Sequence, residues 1–266
     1  MTQSEVTRAA GSLEAQPVVQ IGARVGYAVS GVLHLLIGWI GLQVAWSASG
    51  KSADQSGALQ SLAGSGLGRL TLWVAVAGFL ALGLWQFANT VSTQPAPGSS
   101  PWPARVKGLS KAVLYLALAW ASFTTTQGHP SSSRAQSADF TATLLQHTGG
   151  RLVVAVIGLA VIGVGGYHVV KGWAKRFLRD LKEHPGILAT RAGEVGYIAK
   201  GIALAVVGVL FLTAAAQNSA RKATGLDGAL RTLRQQPFGP WLLSAVALGI
   251  ATYGAYSFAR ARYARV

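Results

Sequence analysis

The 266-residue chain contains no cysteine, which removes structural disulfides, thiol nucleophiles and cysteine-held metal clusters together. Acidic residues are scarce: eight Asp and Glu stand against 23 Lys and Arg. None of the eight falls within the six spans expected below, the nearest being Glu194 just before the fifth, so the intramembrane carboxylate relay common in proton-coupled transporters is missing. Charged residues of both signs make up only 12% of the chain. A soluble chain of this length would show amphipathic helices with charged outer faces, and these stretches have none. Residues 1–20 lack the apolar core of a signal peptide, so they read as a disordered tail and the first apolar stretch as an uncleaved anchor.

What the chain does contain is one pattern written three times. ARVGYAVSGVLHLLIGWIGLQVA from Ala23, ARVKGLSKAVLYLALAWASFTTT from Ala104 and AGEVGYIAKGIALAVVGVLFLTA from Ala192 are versions of one stretch. Gly31, Ala112 and Gly201 fall at matching places, as do Gly38, Ala119 and Gly208. A second stretch follows each, beginning at Gly68, Gly150 and Gly239; within these Gly83, Gly165 and Gly254 match, followed two residues later by Trp85, Tyr167 and Tyr256. Every stretch approaches or exceeds the ~20 residues needed to span hydrocarbon. The reading is an all-α polytopic membrane protein with six transmembrane helices. They form three tandem helix-pair repeats in a pseudo-threefold arrangement about the membrane normal. The spans are expected near Val25–Trp46, Leu70–Val91, Val106–Thr126, Leu152–Gly172, Val195–Ala216 and Trp241–Ala259. The repeats occupy 21–92, 104–172 and 192–262, with a proline-rich linker at 93–103 and a basic segment at 173–191. Between the spans of each repeat, related stretches from Gly57, Asp139 and Gly228 align Leu62, Leu144 and Leu233, which predicts a short helix capping each pair.

Charge orients the expected bundle. With the N-terminus inside, 15 of the 23 basic residues lie on the cytoplasmic side and eight outside. The positive-inside rule therefore puts both termini in the cytoplasm. The same distribution accounts for the +15 net charge through topology and anionic-lipid contact, and no nucleic-acid partner is expected. In the segment from Lys171 to His184, Trp173, Phe177 and Leu181 recur every four residues, predicting an interfacial helix whose Lys175, Arg176, Arg179 and Lys182 touch anionic headgroups.

The third copy, LDGALRTLRQQPFGPWLLSAVALGIATYGAYSFARAR, together with the GYAVSG and GYIAKG entries, resembles the bacterial membrane proteins grouped as domain-of-unknown-function family 1206. The resemblance covers nearly all of Ala23–Arg262 and is weakest in the second copy, where RVKGLSK lacks the Gly-Tyr pair. It implies a six-helix bacterial inner-membrane protein and no assigned activity.

Candidate site residues come from polar positions within the spans, which are costly and often functional. Gln86, His168 and Ser257 share one place in the three repeats and could border a polar cleft on the threefold axis, joined by His34 and by Tyr115 at the matching place of the next copy. Lys111 and Lys200 align with Ser30 near inner helix ends and read as snorkelling side chains. Two bundle histidines suit a b-type haem, but no second pair or redox motif accompanies them, so no cofactor is expected. His129, His147 and His184 show no zinc spacing. GxSxG, HExxH and Walker patterns are absent, so no enzyme is expected. The preferred reading is a structural, interaction or envelope-sensing protein of the inner membrane; the alternative is a small transporter or channel with a cleft along the axis.

Because the chain has no native cysteine, single-cysteine labelling tests the orientation directly. A Ser132→Cys variant should react with a membrane-impermeant maleimide in intact cells. Reaction only after the membrane is breached would reverse the topology.

Overall fold

A computed structural model describes residues 17–47, 50–64, 66–92, 102–129 and 132–265. The described chain is almost entirely helical: α1 (Pro17–Trp46), α2 (Gln55–Ala63), α3 (Gly66–Ser92), α4 (Trp102–Thr126), α5 (Ser133–Leu145), α6 (Gly150–Trp173), α7 (Ile187–Ala216), α8 (Gly225–Arg234) and α9 (Gly239–Tyr263). Most of the expected tail and linker lies outside the described residues, although α1 already begins at Pro17 and α4 at Trp102. Six helices, α1, α3, α4, α6, α7 and α9, are long and apolar enough to cross a membrane; α4 is the least apolar of them. The short helices α2, α5 and α8 stand at one end, here the capped end; the opposite, terminal end carries the start of α1 and the end of α9.

Three residue types set these boundaries. Asp54 caps α2 by accepting the Gly57 N–H at 3.0 Å, and Ser132 caps α5 by accepting that of Ala135 at 3.3 Å. Pro240 sits in the first turn of α9, where its missing N–H costs nothing. At the terminal end the helices outrun the expected spans. α7 starts at Ile187 rather than Val195 and so includes Glu194, which pairs with Arg191 at 3.2 Å and Lys175 at 3.6 Å.

The long helices form an open arc in the order α6, α7, α9, α1, α3, α4. The three most extensive interfaces, α6·α7, α9·α1 and α3·α4, each join the second long helix of one repeat to the first of the next. The lesser interfaces α1·α3 and α7·α9 lie within repeats; their counterpart α4·α6 is not a packed interface among the described residues.

Lipid tails give apolar helices no hydrophobic reason to associate, so contact depends on close packing of small residues. At α6·α7, a Cβ on Gly165 would lie 2.7 Å from the Gly201 carbonyl oxygen, and one on Gly158 2.9 Å from that of Gly208. At α9·α1, a Cβ on Gly31 would meet the Gly254 carbonyl at 3.0 Å and one on Gly38 that of Ala247 at 2.7 Å. Seven residues is about two turns, so each pair of small residues falls on one helix face. The α3·α4 interface is looser: Ala112 and Ala119 replace the α7 glycines, and Gly83 faces the Leu116 side chain at 2.8 Å.

The capped end is tied together by one buried carboxylate. Asp227 on α8 accepts the Ala53 N–H, just before α2, at 2.9 Å. It takes both oxygens' share of Arg231 Nε, at 3.1 and 3.0 Å, and lies 3.9 Å from Arg134 on α5. All three short helices therefore meet at a group only 1% exposed.

The expected interfacial helix is not there. α6 ends at Trp173, Lys175 adopts φ 52°, and Arg176–Asp180 form a tight 3₁₀ turn. Trp173 is 77% exposed while Phe177 is fully buried and Leu181 2% exposed, so the three do not share a face. Phe177 packs on Tyr197 and Tyr256, with ring centroids 5.4 and 5.0 Å away, in space left by Gly193. Burying that ring, a gain of roughly 2–3 kcal/mol, outweighs two further turns of exposed helix. The strap then pairs with the C-terminus: the Lys182 N–H donates to the Tyr263 carbonyl at 2.7 Å and the Arg265 N–H to that of Asp180 at 3.1 Å.

Gly201→Leu should force α6 and α7 apart and destabilise the protein by at least about 2 kcal/mol. Gly163→Ala, in the same helix pair but with nothing within 4 Å, should be neutral or stabilising. Thermal unfolding of the purified chain in detergent measures both.

Candidate functional site

The glycine contacts fix which helix faces turn to the middle of the arc, and there cations and tyrosines collect. The Arg260 guanidinium lies 4.3 Å over the Tyr27 ring, and the Lys200 ammonium 4.3 Å over that of Tyr253. Lys171 lies 5.2 Å over Tyr197, and Lys107 5.6 Å over Tyr167. The electron-rich ring faces attract these charges, more strongly where water is excluded.

Two of these pairs are one feature of the repeat. Lys171 and Arg260 each follow a matched glycine, Gly165 or Gly254, by six residues; Tyr197 and Tyr27 each precede a matched glycine, Gly201 or Gly31, by four. The same geometry therefore recurs at α6·α7 and α9·α1. The third of these interfaces, α3·α4, has Asn89 and Gly108 in these places, and a Cβ on Gly108 would strike the Thr90 side chain. At α3·α4 close packing replaces the cation–ring pair.

The cations are poorly neutralised. Arg260 donates from Nη1 to the Tyr253 hydroxyl at 3.4 Å, while its buried Nε has no hydrogen-bond partner among the described residues. Lys200 Nζ approaches His34 Nε2 at 3.3 Å, and His34 Nδ1 stands 2.7 Å from the Ser30 carbonyl. This network assigns the tautomer with the proton on Nδ1, so that Nε2 accepts from the ammonium. The charges of Lys107, Lys171 and Arg260 all act on Lys111, and the Asp180 carboxylate opposes them. Asp180 is itself bonded to Lys171 at 2.6 Å. Lys107, Lys111, Lys171 and Arg260 thus act on one another beside Asp180, and Lys200 joins Arg260 at the Tyr253 ring.

The cleft expected from polar recurrence is not assembled. Ser257, 1% exposed, donates to the Tyr253 carbonyl of its own helix at 2.9 Å. Gln86 donates to Thr90 at 3.3 Å, four residues along α3. His168 Nδ1 lies 2.8 Å from the Val164 carbonyl, and its ring faces Tyr197 at 5.8 Å. Each group is satisfied by a neighbour one turn away on its own helix, the ordinary recourse of a polar side chain in lipid. The three helices that bear them share no packed interface among the described residues. His34 does belong to the cation cluster, and Tyr115, stacked on Phe79 at 6.3 Å, lies within reach of the Arg260 charge. Lys200 points at His34 and Tyr253 rather than snorkelling outward. Lys175 pairs with Glu194, Arg176 and Arg179 are exposed, and Lys182 sits in the strap.

Sequence reasoning missed Tyr27, Lys171, Tyr197, Tyr253 and Arg260. The available signal for Tyr27, Tyr197, Lys171 and Arg260 was their constant offset from the matched glycines; Tyr253 has no such counterpart. Among the described residues, no group of three His, Asp or Glu converges as a metal site would require.

The family model described as Domain of Unknown Function (DUF1206) matches this chain three times, over residues 25–92, 106–175 and 195–264. A protein of Bacillus subtilis (strain 168), named Uncharacterized protein YxxB, is 25% identical over 257 residues, covering 94% of this chain and 93% of its own length. No solved structure matches.

If the ring face of Tyr27 holds Arg260, Tyr27→Leu should cost about 1–2 kcal/mol, whereas Tyr27→Phe, which keeps the ring, should cost little. Equal losses in thermal unfolding of the two variants would assign the role to the hydroxyl instead.

Proposed function

The chain belongs to the Domain of Unknown Function (DUF1206) family, whose description names no activity, and we propose from its own geometry that it is a non-catalytic membrane protein that binds an anionic ligand. It serves the bacterial inner membrane as an interaction or sensing protein, and its ligand enters from the cytoplasmic side. One observation carries this reading: the Arg260 Nε is a buried donor without a partner among the described residues, in a cluster where the charges of Arg260, Lys107 and Lys171 converge on Lys111. Like charges held in a low-dielectric site repel one another, and an unpaired buried donor carries its full desolvation cost. A bound anion relieves both. The orientation follows from the basic-residue bias, which makes the terminal end cytoplasmic. Lys175, Arg176, Arg179 and Lys182 then face anionic headgroups at the surface, each contributing about 1 kcal/mol.

A carrier is the second reading. Asp227 closes the capped end through three short helices, while the cation cluster lies toward the other end beside the unpacked α4–α6 seam. One-sided closure of this kind supports an alternating-access cycle caught in one state.

Anion binding is tested on the purified protein in an uncharged detergent at constant ionic strength. Inorganic phosphate, sulfate or an anionic phospholipid should raise the unfolding temperature saturably, by a free energy reaching about 2.7 kcal/mol at a hundred times the dissociation constant. Arg260→Gln should abolish that increment. If none of the three anions stabilises the native protein, the reading is wrong.

A further inference from the structure

We infer that the anion is the phosphate of an anionic phospholipid, taken sideways from the leaflet at the terminal end through the seam between α4 and α6. The inference rests on the anion-binding reading and adds the ligand class and its route. Of the three seams within repeats, α1·α3 and α7·α9 are packed and, among the described residues, α4·α6 is not. Lys107 on α4, 5.6 Å over the Tyr167 ring on α6, is the contact that bridges it.

The seam is bordered by charge from both sides. Lys107 and Lys111 come from α4 and Lys171 from α6, and the charges of Lys107 and Lys171 both act on Lys111. Depth fits a headgroup. Lys107 lies five residues inside α4 and Lys171 two residues from the end of α6. At 1.5 Å per residue both stand within about 8 Å of the helix ends, where lipid phosphates lie, and Lys111 continues about 6 Å inward. Closer to the capped end the same two helices show exposed apolar side chains, among them Leu114 at 56% and Val164 at 48%. Cations at headgroup depth over apolar helix walls suit a molecule with an anionic head and hydrocarbon tails. A soluble anion would gain nothing from those walls. The charge of Arg260 also acts on Lys111, and its buried Nε, without a partner among the described residues, supplies a further donor for an entering phosphate oxygen.

The experiment uses the full-length protein in an uncharged detergent, titrated with dioctanoyl phosphatidylglycerol, dioctanoyl phosphatidylcholine or glycerol 3-phosphate, and read by native mass spectrometry and thermal shift. Phosphatidylglycerol should bind saturably and at least about tenfold more tightly than glycerol 3-phosphate, which lacks the tails. The zwitterionic lipid should not compete. Replacing Lys107, Lys111 and Lys171 together by glutamine should weaken phosphatidylglycerol binding on the order of a hundredfold, and replacing them by arginine should retain it. Lys107→Gln alone, on the lipid-exposed side of α4, gives a milder variant with a partial loss. Equal binding of glycerol 3-phosphate would make the ligand soluble and remove the lateral route while leaving anion binding intact. Equal binding of phosphatidylcholine, or undiminished binding by the triple glutamine variant, would reduce the contact to nonspecific lipid association and overturn the inference. If neither anion binds, the anion-binding reading falls with it.

Discussion

Everything in this protein depends on helices brought backbone to backbone by small residues two turns apart. Lipid cannot drive apolar helices together, so the arc is held where Gly158, Gly165, Gly201 and Gly208 interlock, and again where Gly31 and Gly38 meet Gly254 and Ala247. These contacts fix each helix's rotation as well as its distance. Once Gly201 faces α6 and Gly196 faces Tyr253 on α9, Lys200 must turn toward the middle of the arc. The cation cluster follows from packing that involves no charge.

Departure from symmetry creates the site. Two of the repeat-to-repeat interfaces carry the same cation-over-tyrosine pair, Lys171 on Tyr197 and Arg260 on Tyr27. The third puts Asn89 and Gly108 there, and α4 is also the long helix that packs least like its counterparts, with alanines for glycines and, among the described residues, no packed interface with α6. A perfect threefold repeat would close the ring and bury three equal pairs. The second copy's departures instead leave one seam open beside Lys107, Lys111 and Lys171. The Asp227 knot gives the other end the opposite character, since one carboxylate shared by α2, α5 and α8 holds the caps of all three repeats together.

Where sequence reading went astray, it counted one signal and overlooked a competing one. Gln86, His168 and Ser257 are polar at a matching place, yet a hydroxyl, amide or imidazole in lipid is readily satisfied within its own helix, so recurrence of polarity did not mean convergence. The position three residues on, which holds Lys171 and Arg260, was masked by Asn89 in the first copy and by the ordinary expectation that basic residues near helix ends snorkel. The spacing of Trp173, Phe177 and Leu181 matched an amphipathic helix. The pocket that captures Phe177 is built by Gly193, Tyr197 and Tyr256, far along the chain, and no local periodicity reports it.

The sequence by itself determined the six long apolar helices, their three-copy organisation, the short helix within each copy and the small residues through which the copies would touch. Hydrocarbon thickness and backbone hydrogen bonding leave an apolar stretch of that length few alternatives, and both act locally. Only the tertiary structure decided that the second long helix of each repeat pairs most closely with the first of the next, that the described arc stays open between α4 and α6, and that Lys107, Lys111, Lys171 and Arg260 come together beside Asp180. Those outcomes depend on helix rotation and on partners more than two hundred residues apart, such as Tyr27 and Arg260, and they exist only after the glycine faces have met.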